Sequence, residues 1–324
     1  MDEAQFVAAK SPHRAPARFR RLRWILALGA VLIALAAAYV HFYLYLPTGS
    51  GPAGPAVERA AFERTWTDRK VLLVGIGDSV TAGFGASRGK SYFDRLVKNP
   101  PDDFAELREI SLSQVLPNLD SLNISLSGSN SLQHLDHIRD RLPVQADDVF
   151  GLVVITTGGN DLIHWYGQRP PQEGAMYGAT LAQAQPWIDN YGQRLETMFR
   201  QIEGRFPGGC LIFVADIYDP SDGAGDPEAV WLPAWRDCLP ILTTYNAKLR
   251  EIAADHPAVR VVPVHDAFLG HGIHCRKFWR ANFRADDPCY WYHENIEDPN
   301  DRGYDALRRV FLNSVAAERA TIGR

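Results

Sequence analysis

The chain is expected to form a three-layer α/β/α sandwich around a parallel five-stranded sheet, preceded by one membrane-crossing helix. Three observations carry that expectation. Five short segments rich in Val, Ile and Leu alternate with segments of helical spacing. Those five are continuously apolar, as strands buried on both faces are. A longer apolar run near the start, preceded by arginines, reaches the roughly 20 residues that span a bilayer as a helix.

The long run comes first. Lys10, Arg14, Arg18, Arg20, Arg21 and Arg23 precede apolar residues from Trp24 to Leu46. A cleaved secretory signal would use the small residues Ala36-Ala37-Ala38. The run continues past them through Tyr39, Val40, Phe42, Tyr43, Leu44 and Tyr45, which favours a retained signal-anchor with an interfacial aromatic belt. Arginines held on the cytoplasmic side put everything after the helix outside the membrane. This gives a basic tail (1–23), an anchor (24–46), a Gly/Pro-rich linker (47–60) and an extracytoplasmic domain (61–324), with secretion after cleavage as the alternative.

At 324 residues, 46% of them apolar, the chain can bury a sizeable core. A net charge of −4 argues against a nucleic-acid partner. Four cysteines, Cys210, Cys238, Cys275 and Cys289, are free to oxidise in an extracytoplasmic domain. Cys210 heads an apolar strand and reads as a buried thiol, and a bridge between Cys275 and Cys289 would staple one loop.

The domain's elements follow in order. Lys70–Ile76 is the first strand and Ser91–Val97 a helix broken by Asn99-Pro100-Pro101. Leu119–Leu126 is the second strand. Leu132, Leu135, Ile138 and Leu142 mark an amphipathic helix. Val149–Ile155 is the third strand, Thr180–Phe206 a long helix interrupted at Pro186, and Leu211–Ala215 the fourth strand. Leu239–Ala254 is a helix, Val259–Val264 the fifth strand, and Asn300–Arg319 the closing helix. Alternating strands and helices imply right-handed crossovers and a sheet covered on both faces. Ligands then gather at the carboxyl ends of the strands.

Three of those ends carry glycine with small polar donors. The first is Gly77-Asp78-Ser79, the second Ser125–Asn130, and the third Thr157-Gly158-Gly159-Asn160-Asp161. Singly, each reads as a helix cap or a turn. Together they offer what acyl transfer needs, a nucleophile in Ser79 and oxyanion donors in the Ser79 N–H, the Gly128 N–H and the Asn160 amide.

These blocks resemble the SGNH hydrolases, the GDSL-type esterases and lipases. That family has Gly-Asp-Ser with its nucleophile, matched by Gly77-Asp78-Ser79. Its Asn-x-x-x-Ser-Gly block is matched by Asn123–Gly128, and its Gly-x-Asn-Asp block by Gly158–Asp161. The resemblance covers Val71 to Ala316. It implies a flavodoxin-like three-layer sandwich and a serine ester hydrolase with Ser79, Gly128 and Asn160 in the site, and no cofactor or metal.

The family's fourth block, Asp-x-x-His-Pro-Asn, departs. In Asn295-Ile296-Glu297-Asp298-Pro299-Asn300, Asp298 stands in the histidine's place and Asn295 in the aspartate's. A carboxylate is a weaker base for serine than imidazole at neutral pH. His293 is therefore expected as the base, oriented by Asp298 or, failing that, by Asp287, Glu294 or Glu297. His271 and His274 are rivals, and with Cys275 they form a weak metal-ligand trio. Trp165, Tyr166, Met176 and Tyr177, with Phe278, Trp279, Phe283, Trp291 and Tyr292, either wall an acyl or sugar pocket or pack loops. Arg276, Lys277, Arg280 and Arg284 read as a solvated face.

The expected function is hydrolysis of acyl or acetyl esters, of a lipid or an O-acetylated glycan, outside the membrane. The alternative is a non-catalytic glycan- or lipid-binding protein on the same scaffold.

Overall fold

Strands that are apolar on both faces need a layer of helices on each side, and the chain supplies them. Lys70–Gly77 (β1), Leu119–Asn123 (β2), Val149–Thr156 (β3), Cys210–Ala215 (β4) and Val259–Val262 (β5) form one parallel sheet in the order β2-β1-β3-β4-β5. The computed structural model describes residues 17–163, 172–175 and 178–324.

Successive side chains along each strand go to opposite layers. Val71 and Leu73 of β1, Leu152 and Val154 of β3, and Leu211 and Phe213 of β4 pack in one core. Helix Asp301–Ala317 covers it with Leu307, Val310, Phe311 and Leu312. Val74 and Ile76, Val153 and Ile155, and Ile212 and Val214 pack in the other. There helices Ser131–Arg141, Leu181–Glu203 and Cys238–Ala254 contribute Ile138, Ile188, Leu195, Phe199, Tyr245 and Leu249. Each such aliphatic or aromatic side chain contributes about 1.5–3 kcal/mol of burial.

Three boundaries differ from the sequence reading. β2 ends at Asn123, although the Ile124 and Leu126 N–H groups still donate to Gly75 O (2.9 Å) and Gly77 O (3.0 Å). β5 ends at Val262, because Pro263 has no N–H to extend the ladder, and Val264–Phe268 turns helical. Helix Leu181–Glu203 runs unbroken through Pro186. The proline sits in its second turn, where a Thr180–Gln183 capping box and the burial of Ile188 outweigh one lost hydrogen bond.

Residues 1–45 and 46–324 are separate compact units. In the first, Arg21–Leu44 is helical, with a mean hydropathy of 2.3, long and apolar enough to cross a membrane.

The Gly/Pro-rich stretch expected to be a linker is docked on the domain. Pro47 O accepts from the Tyr290 N–H (2.7 Å), Gly51 O from Arg302 Nη1, and Ala56 O from Asn313 Nδ2 (2.9 Å). The Ala53 N–H donates to Asp305 Oδ2 (3.0 Å). Irregular backbone leaves its carbonyls unpaired, and side chains of the last helix take them up.

Asp305 also anchors a buried ion network. Arg309 Nε donates to its Oδ2 at 2.8 Å, Arg308 Nη2 to its Oδ1, and Arg95 Nη1 lies 3.5 Å away. Arg308 in turn forks onto Asp103 (2.6 and 3.0 Å), and Arg309 reaches Glu106 (2.8 Å). Removing one partner strands the others' buried charge, so Asp305→Ala is expected to lower unfolding free energy by about 3–5 kcal/mol. Chemical denaturation of the purified protein measures it; a change under 1 kcal/mol would contradict this role for the network.

Candidate active site

A parallel sheet whose order reverses around β1 leaves a crevice at the strand ends between β1 and β3. Gly77 closes β1 there with φ +144°, and a Cβ on it would lie 2.4 Å from Thr156 O of β3. Only glycine allows that approach. Asp78 then caps the Ser79–Ala82 helix, its Oδ1 accepting from the Val80 N–H (3.1 Å) and from Thr156 Oγ1 (2.8 Å). The Thr156 hydroxyl continues to Thr81 (2.8 Å) and on to Tyr92 (2.7 Å). Burial pushes the Asp78 carboxyl up to about 7 and the charge of Asp298 adds to the rise, while the bonds from Thr156 and Val80 hold it back.

Ser79 is half-buried at the start of that helix. The second tip approaches through Ser129, whose Oγ bonds Leu126 O (2.6 Å) and Gly77 O (3.1 Å) and lies 3.0 Å from His134 Nε2. His134 Nδ1 is 3.1 Å from Thr157 Oγ1 of the third tip. Burial lowers this histidine to about 3, so it stays neutral as a brace between the tips. Gly128 turns the second tip at φ +80° and is exposed.

In the third tip Gly158 has φ +99°, and a Cβ there would lie 2.6 Å from Ile217 Cδ1. Asn160 Nδ2 donates to Ser129 O (2.9 Å), so the amide is tied to the second tip. Asp161 accepts from the Ser131 N–H (3.0 Å) and hydroxyl, with Arg194 at 3.5 Å. Ser129 and Thr157 fall within the tips read from the sequence but were given no role there, and Ser131 and His134 were not singled out; the tertiary pairing selects them.

A cavity of about 180 Å³ opens beside Ser79. Asp78, Ser79 and Asn160 line it together with Ile217, Val230, Leu232, Trp235, Leu242 and Ile273. Of these apolar residues, all but Ile273 come from the stretch between β4 and β5, which the sequence reading did not connect to the site; Ile273 lies after β5, in the segment around His271 and His274 that was expected to border it.

The fourth block arrives on the loop before the last helix. Asp298 is buried, and Asn295 Nδ2 donates to its Oδ2 (2.7 Å). The Ser79 hydroxyl is close enough to lower the Asp298 pKa, yet Oδ1 meets no donor in strict hydrogen-bond geometry, so this contact is long or bent. Burial outweighs it and raises the carboxyl above its ordinary range.

His293, expected as the base, is held by its own loop and by Phe84. Its N–H donates to Asp298 O (2.7 Å), and its ring packs edge-on against Phe84 at 5.8 Å. The imidazole acts on Asp298 only through charge. A tight turn from His293 to Asp298 holds the carboxyl near enough to Ser79 for the hydroxyl to lower its pKa. The rival histidines are held elsewhere. His271 stacks on Trp291 at 3.4 Å with Nδ1 3.1 Å from Cys289 O, and burial lowers it to about 4. His274 lies between Asp226 (2.7 Å) and Lys277 (2.6 Å). Asp287 pairs with Arg302 (2.8 Å).

Trp291 and Tyr292 are buried in the core, while Phe278 and Trp279 are exposed. Trp165, Tyr166, Met176 and Tyr177 lie outside the described residues. The four cysteines are free thiols, Cys275 and Cys289 included, and burial pushes Cys210, Cys238 and Cys275 up to about 12.

No curated protein matches the chain. Among solved structures it is similar to LAE5, an α/β hydrolase from the metagenome of Lake Arreo, Spain, with 17% identity and a TM-score of 0.48, covering 79% of this chain and 99% of that one. It is also similar to the lipase Lip_vut3 from a goat rumen metagenome, with 16% identity and a TM-score of 0.45 over 76% and 97% of the two chains. A third is Axe2, an acetylxylan esterase from Geobacillus stearothermophilus, with 16% identity and a TM-score of 0.45 over 77% and 94%. Residues 76–306, most of the domain and all four blocks, match the GDSL-like Lipase/Acylhydrolase family, and the chain therefore belongs to that family of carboxylic ester hydrolases.

Proposed function

We propose that the protein hydrolyses acyl esters outside the cytoplasmic membrane, with Ser79 as nucleophile. One observation carries the reading: Ser79 starts a helix and, with Asn160, lines a mostly apolar cavity. In this mechanism Ser79 Oγ attacks the ester carbonyl. The Ser79 and Gly128 N–H groups and the Asn160 amide hold the developing oxyanion, and water then releases the acyl group from the serine.

The cavity supports an acyl chain over an acetyl group or a sugar. Ile217, Val230, Leu232, Trp235 and Leu242 offer contact to methylenes and few partners for hydroxyls. The N-terminal basic cluster followed by an apolar helix supports an anchor with the domain extracytoplasmic. Asp298 at the family's histidine position favours the second reading, a binding protein on the same scaffold, and reaction with a fluorophosphonate separates the two.

Ser79→Ala is expected to abolish fluorophosphonate labelling and to lower p-nitrophenyl butyrate hydrolysis by about 10³-fold or more. Asn160→Ala should lower kcat by about 10²–10³ with labelling slowed but present. Undiminished turnover by Ser79→Ala would remove the nucleophile assignment.

Extending the ester from acetyl toward hexanoyl should raise kcat/KM by up to about fourfold for each methylene buried. Leu242→Trp, which fills the cavity, should flatten that series while acetyl ester turnover stays within a few-fold. A preference for acetyl esters in the wild-type enzyme would instead point to a glycan substrate.

The full chain should stay with membranes through alkaline carbonate extraction, and external protease should digest its domain in spheroplasts. Release by carbonate would favour a cleaved signal, and protection from the protease would reverse the orientation.

A further inference from the structure

The loop that carries the fourth block is clamped at both ends. Tyr292 and Pro299 form an antiparallel bridge, and the His293 N–H donates to Asp298 O at 2.7 Å. Asn300 caps the last helix through its Oδ1, while its Nδ2 donates to Tyr290 O (2.8 Å) and Tyr292 O (3.0 Å). Inside the clamp Asn295 grips Asp298 twice. Its Oδ1 accepts from the Asp298 N–H (3.2 Å), and its Nδ2 donates to Asp298 Oδ2 (2.7 Å).

The other carboxylate oxygen has no such partner. Asp298 is 4% exposed, its buried Oδ1 has no partner in strict hydrogen-bond geometry, and the Ser79 hydroxyl lies close enough to the carboxyl to lower its pKa. Leaving a buried charged acceptor unmatched costs about 1–3 kcal/mol or more, and native structures seldom do it without a use. An oxygen held open beside a serine hydroxyl is placed to take that proton.

The neighbouring position fits the same role. An aspartate at 295 would set two carboxylates against each other. The asparagine donates instead, fixing Oδ2 and leaving Oδ1 free of a partner on the carboxyl that Ser79 approaches.

We propose that Asp298 is the general base for Ser79 and that Asn295 is its positioning residue. The inference rests on Ser79 being the nucleophile. As Ser79 Oγ bonds to the carbonyl carbon, its proton passes to Asp298 Oδ1 and the carbonyl π electrons move to the oxyanion. Collapse breaks the bond to the leaving alkoxide, which takes the proton from Asp298. In the second half a water proton passes to Asp298 as its oxygen bonds to the acyl carbon. Collapse then breaks the bond to Oγ, which recovers the proton, and the carboxylic acid leaves.

The base must be ionised, and burial raises its pKa, so activity falls with acidification at a higher pH than an exposed aspartate, near 3.9, would give. The groups facing Asp298 are Ser79 and Asn295, with Asp78, Glu297 and His293 acting through charge and the Tyr218 and Tyr304 hydroxyls nearby.

The test uses the full chain in detergent with p-nitrophenyl butyrate. Asp298→Asn is expected to lower kcat by about 10²–10⁴ with KM within a few-fold, and His293→Ala to lose at least about tenfold less. Asn295→Asp should move the acid limb of kcat/KM to higher pH, a shift that a purely structural asparagine would not cause. The Asp298→His, Asn295→Asp double variant should recover at least about tenfold over Asp298→Asn, with its acid limb near pH 6.5. Wild-type kcat in Asp298→Asn, an unmoved limb in Asn295→Asp, or an equal loss in His293→Ala would each overturn the proposal. If Asp298→Asn fails to fold, the limb of Asn295→Asp decides. A fully active Ser79→Ala would instead remove the nucleophile on which the inference rests.

Discussion

The site depends on how closely β1 and β3 approach at their carboxyl ends. Gly77 has no side chain to hold Thr156 O away, and that closeness lets Asp78 take both the Thr156 hydroxyl and the Val80 N–H. The Thr156–Thr81–Tyr92 hydroxyl chain then runs from the strand tip into the core below the last helix, where Tyr92 stacks on Phe311. A side chain at position 77 would separate the tips, and Ser79 and Asn160 belong to those two tips. The serine's position is thus set by backbone contact more than by any group that touches it.

The last helix links stability to the same site. Its inner face carries Asp305, Arg308 and Arg309 in the buried ion network, which also holds Ala53 of the docked N-terminal segment. Its N-cap, Asn300, ties down the backbone of Tyr290 and Tyr292, between which and Pro299 lies the turn bearing Asp298. Tyr304, one turn in, donates to Phe84 O (2.7 Å) on the loop after Ser79. One rigid element therefore sets both sides of the Ser79–Asp298 contact.

The strands and three tips were legible because each is local. An apolar run followed by Gly-Asp-Ser, or by Gly-Gly-Asn-Asp, signals both a buried strand and its functional end within a dozen residues. Pro186 misled because a proline's cost is local while its compensation, the capping box and the packing of Ile188, belongs to the folded helix. The docked segment at 47–56 was illegible for a related reason: nothing in Gly and Pro shows that Arg302, Asp305 and Asn313 some 250 residues later will meet their backbone. The fourth block was the least legible of all: imidazole is the better base in solution, but the turn from His293 to Asp298 that orients both side chains is closed by bonds that form only on folding.

A carboxylate base changes the electrostatics that such a site must manage. With imidazole, attack creates a new pair of charges, a cation and an oxyanion. With Asp298 in the proposed role, one negative charge moves from the carboxylate to the oxyanion, and the total is unchanged. Its destination is held by N–H donors, so the cavity's low polarity weakens the starting charge more than the final one. Asp78 bears on the same balance: a second anion beside Ser79 would oppose the oxyanion. Burial pushes that carboxyl up to about 7, which reduces its ionised share around neutral pH and with it the opposition to the oxyanion.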